Sequence, residues 1–303
     1  MTQLYSLLLK LEIIMKKLGL ATALVLAMTG AHAYQFEIQG QSEALDSNEE
    51  NRDFNNYTVG GQATYYFKNV DASKGPLAEA AFVNQASNVS LGYNFANLDE
   101  VKSQNVGVKA EAYIPTPYTP AYASLSYSAT DNDGKYGLND DRGQRWAVEF
   151  GSVIAPNFLV AVGYTNVVEQ TSLDTFKILN KGFGKAVGET ATIADDQDAI
   201  TARTKYVGAI DGTPMSIGFE TGIVYGEDTA YELKTDLYLN SQLSAGVSYA
   251  ESSFAGSPDS AWGVNVNYFI TPAIAVGASY LNANAVGSDA DMQTVGLNAK
   301  VRF

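Results

Sequence analysis

Apolar and polar residues alternate along most of the chain after residue 33, in runs of about ten residues that end at turn-forming residues. In one such run Trp262, Val264 and Val266 share a face, and Gly263, Asn265 and Asn267 share the other. A period of two is typical of β-strands with one apolar face. The pattern predicts strand cores at 35–45, 56–68, 88–96, 105–114, 121–130, 145–154, 158–168, 200–210, 215–225, 231–239, 243–252, 261–270, 273–282 and 292–303.

Two architectures can cover such apolar faces, namely a soluble β-sandwich and a barrel whose outer face meets lipid. Strands that cross a membrane at a tilt need about 9–11 residues, whereas sandwich strands are usually about five or six residues long. The connections also alternate between short turns and longer acidic segments, which include 46–55, 96–104, 131–144, 169–199 and 226–230. We therefore predict an all-β, antiparallel, up-and-down transmembrane barrel of about 14 strands, with 12 or 16 left open.

The first 33 residues have the features of a secretory signal peptide. Lys16 and Lys17 precede an apolar run, and Ala31-His32-Ala33 forms a small-x-small cleavage site. We expect cleavage after Ala33, with residues 1–14 as an upstream extension or as part of a long signal. The predicted organisation is a signal peptide over 1–33 and a single barrel over 34–303.

Composition narrows the function classes. Cysteine is absent and the one histidine, His32, lies in the predicted signal peptide, so neither Ser-His nor Cys-His catalysis nor a usual zinc site is expected after residue 33. The predicted mature chain keeps 16 basic and 32 acidic side chains. Nucleic acid is therefore an unsuitable partner. We expect no enzyme activity, no cofactor and no metal site.

The final strand runs from Val295 to Phe303 and alternates to its last residue. A terminal strand that ends in Phe resembles the signal by which barrel-assembly machinery recognises outer-membrane proteins. Together with the signal peptide, this feature predicts the outer membrane of a Gram-negative bacterium.

Three segments carry a family resemblance: the run MKKLGLATALVLAMTGAHAYQFEIQGQSE from Met15, the run KNVDASKGPLAEAAFVNQAS from Lys68, and the carboxyl-terminal run VGLNAKVRF. They resemble a family of bacterial outer-membrane porins that includes a major water-channel porin of Acinetobacter. The resemblance runs the whole length and is weakest in the loops. It implies a 14-stranded barrel with passive flux of water and small solutes, and it assigns no binding residue.

If the apolar face meets lipid, the polar face places charged side chains inside the barrel, because Lys or Arg at the bilayer midplane would cost roughly 2–4 kcal/mol on the lipid side. We expect them to form a mixed-charge lumen, with the alternative that they are paired and solvated without a role in permeation. The predicted pore-lining residues are Lys109, Glu111, Arg145, Glu149, Arg203, Lys205, Glu220, Glu232, Lys234, Asp236, Lys300 and Arg302.

Two segments are long enough to narrow the pore. The insert 69–87 stands where other turns are short, and its apolar Leu77 and Phe82 predict that it folds across the periplasmic mouth, with a helical turn at 76–82; packing outside the lumen is the alternative. The segment 169–199 carries Lys177, Lys181 and Lys185 and is expected either to fold inward as a constriction loop or to lie on the surface.

The function that these observations favour is passive diffusion of water, ions and small hydrophilic solutes. The alternatives are a substrate-specific channel and a structural or adhesive barrel with an occluded lumen. Expected partners are outer-membrane lipids, the assembly machinery at Phe303, and lipopolysaccharide, whose bridging cations the acidic loops could bind. The motif at 131–134, DNDG, is a weak calcium-loop candidate without the later glutamate. Monomer and trimer both remain open.

Overall fold

The computed structural model describes residues 33–47, 56–98, 101–134, 141–169, 173–181, 198–226, 228–253, 258–285 and 291–303. Its strands are β1 (Ala33–Ser47), β2 (Asn56–Asp71), β3 (Asn88–Leu98), β4 (Val101–Ile114), β5 (Ala121–Gly134), β6 (Asp141–Ala155), β7 (Phe158–Glu169), β8 (Asp198–Ala209), β9 (Ser216–Tyr225), β10 (Thr229–Tyr238), β11 (Leu243–Ser252), β12 (Pro258–Thr271), β13 (Ile274–Ala285) and β14 (Asp291–Arg302). A 3₁₀ turn (Leu77–Glu79) leads into α1 (Ala80–Val83), and α2 spans Thr175–Lys181. None of the helices in these described ranges is long and apolar enough to cross a membrane.

Each strand pairs antiparallel with its neighbour in sequence, and β1 closes the sheet on β14, where Gln39 lies opposite Lys300. Closure leaves no strand edge with unpaired backbone groups, which is the condition for a sheet to lie in lipid. The predicted 14-stranded up-and-down barrel is confirmed. The predicted signal peptide lies outside the described residues, apart from Ala33.

The two faces of the sheet differ as the alternation predicts. Large apolar side chains on the outer face are exposed in the isolated chain, with Phe150 and Leu297 at 63% and 65%. Inward neighbours such as Asn94 and Arg145 are almost fully buried. A barrel with an oily exterior and a polar interior is stable only when lipid covers its outer face.

Aromatic pairs form two bands on the outer face. Trp146 packs on Tyr164 at the loop end, with ring centroids 5.3 Å apart, and Phe158 contacts Tyr206 at the turn end. Aromatic rings at two levels are typical of the two membrane interfaces, so the membrane normal runs along the barrel axis.

Several predicted loops are shorter than the sequence suggested. β3 and β4 continue to residues 98 and 101, so the predicted loop at 96–104 is wrong, and the one at 226–230 shrinks in the same way. The DNDG motif is also not a calcium loop, because Asp131 and Asp133 lie in β5 and pair with β4. Backbone hydrogen bonds hold these polar residues in strands, but the residues lie beyond the band of apolar side chains. Hydrophobic alternation therefore does not identify them as strand residues.

The carboxyl terminus completes the closure of the barrel. The ring of Phe303 stacks on Phe36 at 5.4 Å, and its backbone N–H donates to the carbonyl of Phe36 at 2.9 Å. We expect Phe303→Ala to lower the yield of folded barrel in outer membranes, measured by heat-modifiable migration on gels. Leu297→Ala, on the outer face of the same strand, is the control, and equal yields from both variants would contradict the expectation.

Candidate functional site

The inner wall of the barrel has a charged side, formed mainly by β4 to β10. Arg203 is central to it, because its Nη2 donates to Glu149 at 3.0 Å and to the hydroxyl of Tyr122 at 2.9 Å. Tyr122 in turn donates to Glu111 at 2.7 Å, and Lys109 lies 3.0 Å from that carboxylate. These groups form one connected network of charges and hydrogen bonds.

The same side continues onto β9 and β10. Glu220 lies 4.0 Å from Arg203, and Lys234 pairs with Asp236 at 3.0 Å. Glu232 is paired with Lys181 of α2, which therefore reaches from its loop to the wall. Charges of both signs alternate over this surface, as the sequence predicts for a mixed-charge lumen.

The opposite side, from β11 through β14, carries neutral amides and glycines. Asn265, Asn267 and Asn298 point inward, and their amide groups lie against Gly246 and Gly277. A Cβ at Gly277 would stand 2.2 Å from Oδ1 of Asn267. The glycines thus make room for polar side chains to lie flat. The middle of this side is therefore lined by neutral groups, whereas Lys300 and Arg302 lie at the turn end of β14.

The turn end of the lumen holds an ion-pair cluster. Glu37 accepts from Nε of Arg302 at 2.7 Å and pairs with Lys300 at 3.0 Å. The guanidinium of Arg302 also lies 4.6 Å from the ring centroids of both Tyr34 and Phe269. Because Arg302 is 2% exposed, this cluster is a fixed part of the wall.

The insert between β2 and β3 crosses the turn end inside the barrel. On one side Leu77 donates its backbone N–H to Ser241 at 2.8 Å, and its carbonyl accepts from Arg302 at 2.8 Å. On the other side Phe82 belongs to a buried apolar cluster with Tyr122, Leu159 and other wall residues. The insert therefore contacts widely separated strands and narrows the turn end of the barrel.

Glu79 fastens the centre of the insert. Its carboxylate lies 2.8 Å from Nζ of Lys205 and accepts from the hydroxyl of Tyr238 at 2.8 Å. Burial alone would raise the pKa of Glu79, but the Lys205 ammonium, with help from Lys234 and Tyr238, lowers that pKa below its ordinary value. Glu79 is therefore charged at neutral pH.

Helix α2 enters the lumen from the loop end. The carboxylate of Asp174 accepts from the backbone N–H of Phe176 at 2.9 Å and so caps the helix start. Thr175 hydrogen-bonds to Asn105, and Gln41 donates to the carbonyl of Ile178 at 2.8 Å. The helix is thus fastened to the wall by polar contacts on several strands.

Three glycines on adjacent strands let α2 lie close to the wall. A Cβ at Gly107 would stand 2.7 Å from Oγ1 of Thr175, and one at Gly92 would stand 2.8 Å from Thr175 Cγ2. A Cβ at Gly60 would stand 2.6 Å from Leu179. A side chain at any of these positions would force α2 or its side chains to shift, so the glycines determine how close α2 lies to the wall.

The insert and α2 together bound a cavity of about 560 Å³ inside the barrel, to which Phe82 and Phe176 both contribute. It is lined by charged groups such as Glu149 and Arg203 and by the amide of Asn265. The described residues contain no group of three acidic, histidine or cysteine side chains arranged to hold a metal ion.

The predicted pore-lining residues all have inward positions. Ten of them line the cavity, whereas Asp236 and Arg302 are buried in ion pairs beside it. Of the predicted constriction residues, Leu77 and Phe82 lie in the insert, Lys177 and Lys181 lie in α2, and Lys185 is outside the described residues.

Sequence reasoning missed Glu37 and Glu79, together with the glycines Gly60, Gly92 and Gly107. Glu37 lies between the outward Phe36 and Ile38, so alternation did mark it as inward, but no local pattern indicated its pairing with Lys300 and Arg302. Glu79 lies in the insert, where the two-residue period stops. The glycines were visible as polar-face residues, but only the position of α2 gives them a role.

Comparisons with known proteins agree with this geometry. The family model described as "Putative general bacterial porin" matches residues 9–303. The solved structure of the Acinetobacter baumannii outer membrane protein Omp33 is 48% identical, covers 90% of this chain and 99% of its own, and superposes with a TM-score of 0.68.

More distant barrels share the fold alone. The CymD monoaromatic hydrocarbon channel is 9% identical, with 89% of each chain covered and a TM-score of 0.52. A search of curated proteins gave no significant match. The polar lumen, the closed barrel and the match across nearly the whole sequence lead to one conclusion: this chain belongs to the general bacterial porin family and is a channel barrel of the bacterial outer membrane.

Proposed function

We propose that this porin is a passive channel for water, ions and small hydrophilic solutes, with no enzyme activity. The observation that carries the proposal is the polar cavity between the insert and α2, because it provides an aqueous compartment in the middle of the barrel. The neutral side with Asn265 and Asn298 offers a path of hydrogen-bonding groups. Apart from Arg145, the basic wall residues described on the charged side are paired with carboxylates, so we expect little ion preference.

Liposome swelling with a size series of neutral sugars and amino acids tests this function. Water and the smallest solutes should enter, and the rate should fall steeply with size because the insert and α2 occupy much of the lumen. Saturable uptake of one solute class would instead favour a substrate-specific channel. No swelling with any solute, together with no conductance, would favour the occluded barrel, which the apolar packing around Leu77 and Phe82 supports.

The pair of Glu79 and Lys205 predicts a dependence on pH. A lowered carboxylate pKa stabilises the docked insert above the ordinary value of about 4.3, and this stabilisation is lost as the pH falls through the lowered value. We expect the single-channel conductance to rise below about pH 4. Glu79→Gln should raise the conductance at neutral pH. It should also remove the part of the rise at low pH that is caused by protonation of Glu79.

Asp71→Asn is the control for this experiment. Asp71 is a partly exposed carboxylate at the start of the same insert, and its side-chain partners, Ser73 and Lys74, lie in the same segment. Its loss should leave the conductance at neutral pH unchanged. If Glu79→Gln behaved like Asp71→Asn at every pH, the ion pair would have no part in holding the insert.

A further inference from the structure

One inward cation differs from the others on the wall. Arg145 on β6 is 2% exposed, and its Nε and Nη1 are buried without a hydrogen-bond partner. Within the described part of the chain, no ion pair includes it, whereas six other inward basic side chains each lie within 4.0 Å of a carboxylate. Those six are Lys109, Arg203, Lys205, Lys234, Lys300 and Arg302.

An unpaired guanidinium in such a place is costly. The guanidinium carries a positive charge and five N–H donors. Removing a buried charge from water without a counter-charge costs several kcal/mol. The site is therefore built to gain stability from an anion that enters the cavity.

Small residues border the cavity beside Arg145. Ser126, Ala147 and Thr165 lie side by side on β5, β6 and β7, one inward position nearer the turn end, and all three line the cavity with Arg145. Their side chains are small, and two of them carry hydroxyl groups. Arg145 and these three residues therefore border the same cavity.

The neighbouring carboxylates are already engaged. Glu149 binds Arg203, and Oδ1 of Asp174 accepts from the backbone N–H groups of Phe176 and Lys177. The basic residue Lys177 also belongs to the cavity lining. An incoming anion thus meets a cation without a partner and two carboxylates that are held by other donors.

We propose that Arg145 is an oxyanion-binding site in the lumen, which holds the carboxylate or phosphate group of a small permeating solute. The planar guanidinium suits both groups, because its parallel N–H donors match two oxygens of one oxyanion. This inference rests on the proposed function as a channel and deepens it, since it gives small anionic solutes a stopping point that neutral solutes lack.

Binding can be measured without any current, by thermal unfolding of the purified barrel in detergent. Sodium phosphate and sodium acetate should each raise the unfolding temperature in a saturable manner compared with sodium chloride at equal ionic strength. The ratio of the two affinities separates a phosphate preference from a carboxylate preference. Arg145→Gln should abolish the saturable shift, and Arg145→Lys should weaken binding at least about tenfold, because a point charge replaces a fork of donors.

Lys109→Gln is the matched control, since Lys109 also lines the cavity but is paired with Glu111. It should keep the phosphate response, and Arg145→Gln should fold at least as well as the wild type because an unpaired buried charge is gone. If phosphate and acetate act no differently from chloride, or if Arg145→Gln keeps the response, the site does not exist. Binding without conductance would refute the channel and keep the site, whereas conductance without binding would refute the site alone.

Discussion

Deletion of residues 72–84 is expected to raise the single-channel conductance several-fold. The deleted segment contains Leu77, Glu79 and Phe82, which fasten the insert to separate parts of the wall and fill the turn end of the lumen. Without it, Asp71 and the strand that follows can be joined by a short turn like the other turns at this end. Within the described part of the chain, α2 would then be the segment that narrows the passage.

The control for the deletion is a change in a turn at the same end that stays outside the lumen. Tyr118 lies between β4 and β5 and is 94% exposed. Shortening the 115–119 turn should leave the conductance unchanged. A deletion of 72–84 that folds, as judged by heat-modifiable migration, but conducts like the wild type would refute the role of the insert as a constriction.

Replacing Gly92 and Gly107 by alanine is expected to displace α2 and to widen the loop end of the passage. The new methyl groups would stand less than 3 Å from Thr175, so the helix must move away from the wall. Overpacking of this kind costs typically about 1–3 kcal/mol, which is comparable to the contacts that hold so short a helix in place. The conductance should rise, and the α2 segment should become sensitive to added protease.

Gly222→Ala is the matched control for the glycine substitutions. Gly222 also lines the cavity, on β9, but a Cβ there would meet nothing within 4 Å. This variant should keep both the wild-type conductance and the protease resistance of α2. Equal behaviour of Gly222→Ala and the double variant would mean that α2 does not depend on the glycine surface.

The barrel was predictable because each strand places apolar side chains toward lipid and polar side chains toward water. Strands such as β11 and β12 alternate cleanly, so Val247 and Trp262 could be placed outside and Asn265 inside from sequence alone. The charged lumen followed from the same parity, as Lys109, Arg203 and Glu220 show. The predicted strand ends were wrong where backbone pairing continues beyond the band of apolar side chains, as at residues 98 and 131–134.

The interior segments could not be predicted in the same way. The insert and α2 pack against residues far away in sequence, such as Leu77 against Ser241 and Gln41 against Ile178. No local period encodes such contacts. The apolar content of the insert did indicate that it is covered, whereas nothing in the sequence indicated that Lys181 would pair with Glu232 or that Arg145 would lack a carboxylate.

One face of each strand meets lipid while the other encloses an aqueous passage, and two cysteine variants distinguish these two faces. The chain has no cysteine, so Ser279→Cys and Ala278→Cys each introduce one thiol on adjacent residues of β13. Ser279 lines the cavity and Ala278 faces outward. In planar bilayers a charged, water-soluble thiol reagent should react at residue 279 and lower the current, and should leave residue 278 untouched. Reaction at residue 278 alone, or equal reaction at both, would contradict the account.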